Sequence, residues 1–350
     1  MVNVSVIIPV YNEIRFIQKT LESVIGEADE IILSDNASTD GTSDICQSFA
    51  NKYPEIKYTR HKENMGSAKN YLFSMDKTEG EYIRIMGGHD LIWPGSTKKM
   101  LVLLKNDQTA VIAYQNHSIY FNPDYTINKF FSANNPIMEE KLQSDKIHER
   151  VSAIPYGIFD NAMLYSLYRA EVLKKNISKY NFFPGGSTDQ GLIVILAREG
   201  KILIEKKTCA LFMLPRPQNH SEYLKEELQR TTSLLTGKYA YRFAILCEQY
   251  NVAKELEMSK LAPKNFAVSL LRKHIPGFLE NDFSNFGMTE NEEILYVSDE
   301  KNNIRKEVLK EIEKYFSKSN KYILLIKIKY FIKLFVPYGL LKLMKKIKDN

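Results

Sequence analysis

Four short runs with the character of strands, within the first 90 residues, constrain the fold of this chain more than any other feature. The first is VSVIIPV at residues 4–10, and the later ones are EIILS, IKYTR and EYIRIM. The first run is apolar almost throughout, as expected for a strand that is buried on both faces of a sheet. Stretches with helical spacing separate the runs, for example through Ile17, Leu21 and Val24. This alternation predicts an α/β fold in which a parallel sheet carries helices on both faces.

The pattern is less regular after residue 95. It predicts a helix in STKKMLVLLK, one longer strand in TAVIAYQNHSIYFN, and a further helix near IMEEKLQSDKIHERV. Helix and strand signals continue to about residue 214, and from residue 222 onward the pattern is mostly helical. Before the second helix lies the turn cluster DNASTDGT, in which Asp40 is the expected N-cap.

Positive charge is concentrated at the C-terminal end of the sequence. The 350 residues have a formal net charge of +6, whereas residues 321–350 contain eight lysines and one aspartate, a net +7. The other 320 residues therefore sum to −1. A surface that binds the phosphate backbone of a nucleic acid should carry an excess of Lys and Arg in the folded body of the protein. Nucleic acid is therefore not an expected partner.

Cysteine usage and the N-terminal residues indicate the compartment. Cys46, Cys209 and Cys247 are far apart and odd in number, which suits neither a disulfide framework nor a metal-ligand spacing. The chain enters a strand at once, without the basic and long apolar regions of a secretory signal. A cytoplasmic location is therefore expected.

Polar residues follow each of the four predicted strands. They are Tyr11, Asn12 and Glu13, then Asp35 and Asn36, then residues 62–66, and finally residues 87–90. The carboxyl ends of parallel strands meet at one edge of a sheet, where ligands bind. An aromatic face, carboxylates, a lysine and flexible backbone suit a base, a ribose, a diphosphate and a divalent cation. Taken singly, each residue also suits an ordinary turn, cap or packing position.

Four ordered segments resemble the successive blocks of family 2 glycosyltransferases. They are VSVIIPVYNE, ILSDNASTDGTSD, ENMGSAKN and GEYIRIMGGHD, which cover the first 95 residues, and a weaker resemblance continues over residues 156–221. The resemblance implies the GT-A fold, a Rossmann-like nucleotide-diphospho-sugar transferase sheet, here with a mostly helical C-terminal extension. It also implies transfer of a sugar from a nucleotide-diphosphate donor with inversion at the anomeric carbon.

The chain is expected to have four parts, of which the resemblance implies the first two and the residue pattern indicates the last two. Residues 1–120 are the nucleotide-sugar-binding half of the GT-A domain, and residues 121–221 are its acceptor-binding half. Residues 222–318 are a helical region, and residues 319–350 are a basic amphipathic tail.

The resemblance also implies roles for single residues. Tyr11 borders the base and Asp35 hydrogen-bonds it, while Lys69 lies toward the diphosphate. Asp90, with His89 beside it, ligates the Mn²⁺ or Mg²⁺ ion that bridges the phosphates. The full donor-binding set is Pro9, Tyr11, Glu13, Asp35, Lys69, Gly88, His89, Arg216 and His220.

The stretch MGGHD, residues 86–90, departs from the family pattern. Gly87 and His89 stand where carboxylates are common, and Asn36 likewise replaces a frequent second aspartate, whereas Asp90 is retained. Gly87 and Gly88 are expected to let the backbone approach the donor closely, although a plain glycine turn is the alternative. Imidazole suits Mn²⁺ better than Mg²⁺, which prefers oxygen ligands.

The second half of the domain is expected to supply the base and the acceptor site. Asp189 follows a glycine-rich loop at the start of an apolar helix, and the resemblance matches it to the catalytic base. An ordinary helix cap is the alternative for Asp189. Arg216 and His220 are candidates for closing over the diphosphate, and Asp160 and Asn161 are candidates for the acceptor side.

The residue pattern of the tail predicts that it contacts the anionic inner face of a membrane. A helical projection places one set of residues on an apolar face and another on a basic face: Leu340, Leu343, Met344 and Ile347 against Lys342, Lys345 and Lys346. Such a segment is typical of a helix that lies on a membrane surface. Interior lysines and Pro337 argue against a membrane span, and packing on the protein's own body is the alternative.

The expected function is therefore an inverting glycosyltransferase. It would move a sugar to a hydroxyl of a glycan or lipid-linked acceptor in cell-surface polysaccharide biosynthesis. A sugar nucleotidyltransferase shares this architecture, but it would need a glycine-rich phosphate loop where PVYNE stands. A nucleotide-sugar-binding protein without catalysis is the second alternative, suggested by Gly87, His89 and Asn36.

Overall fold

The computed structural model describes residues 3–132, 135–154, 163–177, 188–214 and 240–280, with residues 307, 308, 310 and 311. The chain divides into two compact units, residues 1–231 and residues 232–350. Within these described ranges, the strands of the first unit are β1 (Val4–Val10), β2 (Glu30–Asp35), β3 (Ile56–Arg60), β4 (Tyr82–Ile85), β5 (Ala110–Gln115), β6 (His117–Phe121), β7 (Ile127–Ser132), β8 (Leu167–Arg169), β9 (Lys201–Glu205) and β10 (Ala210–Met213). Its described helices are α1 (Ile17–Val24), α2 (Thr42–Lys52), α3 (Ser67–Asp76), α4 (Ser96–Asn106), α5 (Pro136–Leu142), α6 (Ile147–Ala153), α7 (Ala170–Ile177) and α8 (Thr188–Glu199).

The large sheet confirms the predicted parallel arrangement of the first four strands. Its order is β3-β2-β1-β4-β8-β5-β9. β1 pairs in parallel with β2 and β4, so that Ile7 lies opposite both Ile32 and Ile85. Only β8 runs against its neighbours β4 and β5. The carboxyl ends of β1 to β4 therefore lie along one edge, which is where such sheets bind ligands.

The core explains why the N-terminal run is apolar almost throughout. Val6, Ile8 and Val10 alternate along β1 and pack with Ile17 and Leu21 of α1 in one buried cluster. Removing a Leu or Ile side chain of this size from water stabilises a fold by roughly 1.5–3 kcal/mol. The packing of β1 side chains against α1 side chains therefore fixes the end of β1 at the ligand-binding edge of the sheet.

Two predictions beyond residue 108 are wrong in detail. The single long strand predicted in TAVIAYQNHSIYFN is β5 and β6, which are separated at Asn116 and belong to different sheets. β6 forms a smaller sheet with β10 and β7, pairing in parallel with β10 and antiparallel with β7. The single helix predicted near residues 137–151 is α5 and α6. Between them the Ser144 hydroxyl accepts from Lys146 N and donates to Glu149, and such local bonds compete with a continuous helix.

The second unit, in its described residues, is helical. Helices α9 (Ala240–Met258) and α10 (Phe266–Glu280) pack on each other. Lys254 pairs with Glu307 at 2.7 Å, and Arg272 pairs with Glu311 at 3.0 Å. The predicted division points at residues 120, 221 and 318 stay predictions. Among the residues described here, no helix is both long and apolar enough to cross a membrane.

Candidate active site

The loops that follow β1 and β2 are hydrogen-bonded to each other. Asn12 N donates to Ser38 Oγ at 3.0 Å, and Thr39 N donates to Asn12 Oδ1 at 2.8 Å. Glu13 N donates to Thr42 Oγ1 at 2.7 Å. Asn12 has φ 55°, a left-handed conformation that asparagine tolerates better than most residues. The structure thus brings together the first two polar segments that the sequence singled out.

Asp35 is fully buried at the end of β2, and its carboxylate holds the following turn. Its Oδ1 accepts from Ser38 N at 2.8 Å, and its Oδ2 accepts from Ser43 Oγ at 2.6 Å and Tyr58 Oη at 2.9 Å. Arg60 Nε lies 3.6 Å from Oδ2. Burial and the contact with Asp35 raise the pKa of Tyr58, so the phenol remains a donor. A direct hydrogen bond from Asp35 to a base stays a prediction.

The start of α2 differs from the expected N-cap at Asp40. The helix begins at Thr42, after Gly41 with φ 93°. Asp40 Oδ1 still accepts from Thr42 N at 3.0 Å, while Oδ2 accepts from Ile14 N at 3.1 Å. Burial acts to raise the pKa of Asp40, but these hydrogen bonds lower it overall. Asp40 therefore joins the first two loops instead of serving as the cap residue.

The third polar segment is tied to the second through Asn36. Its Nδ2 donates to Asn64 Oδ1 at 2.8 Å, and its Oδ1 accepts from Met65 N at 2.8 Å. An aspartate at this position would lack the donor, so the structure supplies a reason for the amide. Gly66, which follows Met65 in the chain, has φ 88° and directly precedes α3. Lys69 lies in the first turn of this helix, and it is exposed.

Glu13, His89 and Asp90 form a chain between the ends of β1 and β4. Glu13 Oε1 lies 3.0 Å from His89 Nδ1, and His89 Nε2 lies 3.8 Å from Asp90 Oδ2. The side chains of Glu13 and Asp90 are only 9% and 4% exposed, whereas the His89 side chain is 38% exposed. Pro9 and Tyr11 are partly exposed beside this chain, at the end of β1. The roles of these residues toward a donor stay predictions.

Asp90 is also anchored by the second half of the domain, a contact that sequence reasoning missed. Its Oδ1 accepts from Met213 N of β10 at 2.8 Å, and its carboxylate accepts from the hydroxyl of Tyr165. Burial raises the pKa of Asp90, although His89 and these two hydrogen bonds oppose the shift. Tyr165 lies in residues 156–221, where the resemblance is weaker, and no signal in the sequence linked its hydroxyl to Asp90.

The two glycines of MGGHD are packed against protein side chains. A Cβ atom at Gly88 would lie 2.7 Å from Val10 Cγ1 and 3.1 Å from Glu13 Cγ. A Cβ atom at Gly87 would lie 2.7 Å from Asp90 Oδ2 and 2.9 Å from Tyr165 Oη. Within the protein itself, the absence of a side chain is therefore needed at both positions for packing. Close approach to a donor stays a prediction.

The residues around Asp90 suit a divalent cation that is held together with donor phosphates. The described residues contain no group of three or more His, Cys, Asp or Glu side chains able to hold a metal on their own. Mg²⁺ and similar ions commonly bind one or two protein carboxylates and take further oxygens from substrate phosphates. Met213 and Tyr165 use two of the roughly four acceptor positions of a carboxylate. Asp90 therefore retains capacity for one such ligand bond.

Several predicted site residues lie wholly or partly outside the part of the chain that the structure describes. The backbone of Asp189 is in the first turn of α8, at the expected helix start, but its side chain is outside the described part. Arg216, His220, Asp160, Asn161 and the tail at residues 319–350 are also outside the described residues.

Comparison with known proteins identifies the class of this architecture. Residues 5–176 match the model of glycosyl transferase family 2, which confirms over this segment the resemblance that the sequence indicated. An abequosyltransferase of Salmonella typhimurium is 35% identical over 95 residues, which are 25% of this chain and 28% of that protein. A minor teichoic acid biosynthesis protein of Bacillus subtilis is 34% identical over 104 residues, 28% of this chain and 11% of that protein. The matches thus span less than a third of either relative.

Solved structures give a weaker likeness. Residues 1–349 of TarS from S. aureus are 16% identical to this chain, with a TM-score of 0.49, and the alignment covers 91% of this chain and 93% of that one. The confirmed resemblance therefore rests on the match over residues 5–176.

Proposed function

We propose that this protein is an inverting glycosyltransferase. It moves a sugar from a nucleotide-diphosphate donor to a hydroxyl of a glycan or lipid-linked acceptor. The observation that carries the proposal is the convergence of four polar segments at one edge of the sheet, joined by direct contacts. Asn12, Asn36 and the Glu13–His89 pair link the ends of β1 to β4 into one surface.

The donor half of this surface offers groups for each part of a nucleotide sugar. Tyr11 and Pro9 border the base, with Asp35 holding the turn beside them. The exposed Lys69 supplies positive charge toward the diphosphate, and the partly exposed imidazole of His89 lies beside Asp90. A divalent cation bound through Asp90 would neutralise charge on the leaving diphosphate. Arg216 and His220 are proposed to complete this side.

The base is proposed to be Asp189. A hydroxyl is a poor nucleophile until its proton is removed, and a one-step inverting displacement needs a base on the face opposite the leaving group. Asp189 stands in the first turn of a twelve-residue helix, whose N-terminal dipole favours an ionised carboxylate. Asp160 is the next candidate if Asp189 serves as a helix cap.

Cell-surface polysaccharide biosynthesis is the proposed setting. This part of the proposal rests on the relatives named above, which include an abequosyltransferase and a minor teichoic acid biosynthesis protein. The basic tail at residues 319–350 would hold the protein on the inner membrane face from the cytoplasmic side, close to a lipid-linked acceptor.

Product analysis with a panel of nucleotide sugars tests the proposal. Release of a nucleoside diphosphate that depends on an acceptor supports glycosyl transfer. Pyrophosphate release would indicate a nucleotidyltransferase, and binding without turnover would indicate a non-catalytic binding protein.

Replacement of the proposed base gives a sharper test. We expect Asp189→Asn to lower turnover at least about a hundredfold, the low end for general base catalysis, with donor affinity unchanged. Asp160→Asn is the matched comparison, with the same change in charge and shape. If Asp160→Asn abolishes turnover while Asp189→Asn only lowers stability, the assignment of the base is wrong.

A further inference from the structure

Tyr165 reaches the candidate donor site from outside its predicted segments. It precedes β8, and its hydroxyl donates to the buried carboxylate of Asp90. Its ring lies 5.2 Å from the ring of Phe212 in β10, measured between centroids. Phe212 is itself only 4% exposed. The phenol ring is thus held by the smaller sheet while its hydroxyl is directed at the end of β4.

Asp90 is consequently held by two donors on two different elements. Met213 N of β10 binds Oδ1 at 2.8 Å, and the Tyr165 hydroxyl supplies the second hydrogen bond. The backbone reinforces this arrangement, because Leu91 N donates to Leu211 O at 3.1 Å in the same strand. A carboxylate with two fixed partners keeps one rotamer, and its remaining lone pairs keep one direction.

Gly87 leaves the space in which this contact forms. A Cβ atom there would lie 2.7 Å from Asp90 Oδ2 and 2.9 Å from Tyr165 Oη, both shorter than side chains tolerate. Gly87 is not among the glycines with positive φ, so its backbone conformation is open to alanine. Any penalty for alanine at this position therefore comes from crowding of these two oxygens and not from backbone strain.

We propose that Tyr165 is a positioning residue for Asp90, and that Gly87 is required to leave room for the hydroxyl. The proposal rests on the proposed function, in which Asp90 serves the donor diphosphate and its cation. Tyr165 acts through Asp90, and its hydroxyl fixes the direction in which the carboxylate presents its oxygens. Partners that orient a metal ligand in this way typically change affinity or activity by about 10- to 100-fold when they are removed.

The test compares Tyr165→Phe with Tyr120→Phe. Both variants lose one phenol hydroxyl, and both rings pack on Phe212, but the hydrogen bond to Asp90 belongs to Tyr165. Mn²⁺ binding is measured by titration calorimetry in the presence of UDP, and separately of GDP, CDP and ADP, with thermal unfolding recorded for each variant. We expect Tyr165→Phe to weaken Mn²⁺ binding at least about tenfold, and Tyr120→Phe to bind as the wild type does.

A second pair of variants examines the space beside Gly87. Gly87→Ala crowds both Asp90 and Tyr165, whereas in a Tyr165→Phe background one of the two crowded atoms is gone. We therefore expect Gly87→Ala to weaken Mn²⁺ binding several-fold less in that background than in the wild type, since neighbouring substitutions that share a contact are not additive. Strictly additive effects would overturn the steric part of the proposal.

The outcomes separate the two levels of inference. If the wild type shows no Mn²⁺-dependent binding of any of the four nucleotides, the proposed function and this proposal both fail. If the wild type binds and Tyr165→Phe matches Tyr120→Phe, only the positioning role of Tyr165 is wrong. A merely structural role would lower the unfolding temperature of Tyr165→Phe while the affinity of the folded protein for Mn²⁺ stays unchanged.

Discussion

Asp35→Asn should destabilise the first unit far more than its small change in shape suggests. The carboxylate is fully buried and accepts hydrogen bonds from Ser38, Ser43 and Tyr58. In the variant, one oxygen can keep the bond to Ser38 N, but an NH₂ group replaces the oxygen that accepts from two hydroxyls. Hydrogen bonds to a charged group contribute about 1.5–3 kcal/mol each, against about 0.5–1.5 kcal/mol for neutral ones. The expected loss is therefore about 2–4 kcal/mol in the free energy of unfolding.

Thermal unfolding followed by circular dichroism measures this loss. A domain of this size shifts by about 2–4 °C per kcal/mol, so we expect Asp35→Asn to unfold about 5–15 °C below the wild type. Asp44→Asn is the matched control, because Asp44 is exposed in the first turn of α2. Loss of its interaction with the helix dipole costs about 0.3–1 kcal/mol. If the two variants unfold at the same temperature, the buried hydrogen-bond account of Asp35 is wrong.

Two further predictions concern the tail and the second unit. Deleting residues 319–350 should abolish sedimentation of the protein with anionic vesicles. High salt should weaken vesicle binding of the full chain, because each lysine near such a surface contributes about 1 kcal/mol that salt screens. Equal vesicle binding by the full and the shortened chain would contradict the membrane role. His274 is buried, and burial, with a smaller contribution from Lys273, lowers its pKa from 6.5 to about 4. Below pH 6.5 the unfolded chain therefore binds a proton that the folded chain does not, and the free energy of unfolding should fall by about 3 kcal/mol between pH 6.5 and 4. His274→Gln should flatten this dependence in urea unfolding, and an unchanged slope would show that another group is responsible.

The donor half of the site follows closely from the sequence because its geometry is set by local pattern. Continuous apolar runs such as VSVIIPV specify buried strands, and the helical crossovers between successive strands make them parallel. Residues at the carboxyl ends of these strands or a few positions beyond them, including Glu13, Asp35 and Asp90, must then lie along one edge. Sequence position and strand polarity are sufficient for this inference.

The contacts that hold these residues depend on tertiary pairing, which periodicity does not encode. Tyr58 and Ser43 enclose the carboxylate of Asp35, although a carboxylate after a strand looks the same whether it is buried or exposed. Tyr165 and Met213 reach Asp90 only because β8 inserts antiparallel into the sheet and β10 joins a separate one. The break at Asn116 lies in the polar stretch QNHS, which suits an exposed part of one long strand as well as a break between two strands.

The central claim is that the edge formed by the ends of β1 to β4 binds the nucleotide of a sugar donor. Hydrogen–deuterium exchange with and without a panel of nucleoside diphosphates tests this claim most directly. We expect the effective nucleotide to slow exchange in four segments, at residues 9–14, 35–43, 61–70 and 86–91, where these loops contact one another. Protection confined to the opposite edge, near Asp29 and Gly80, or to the second unit, would contradict the claim.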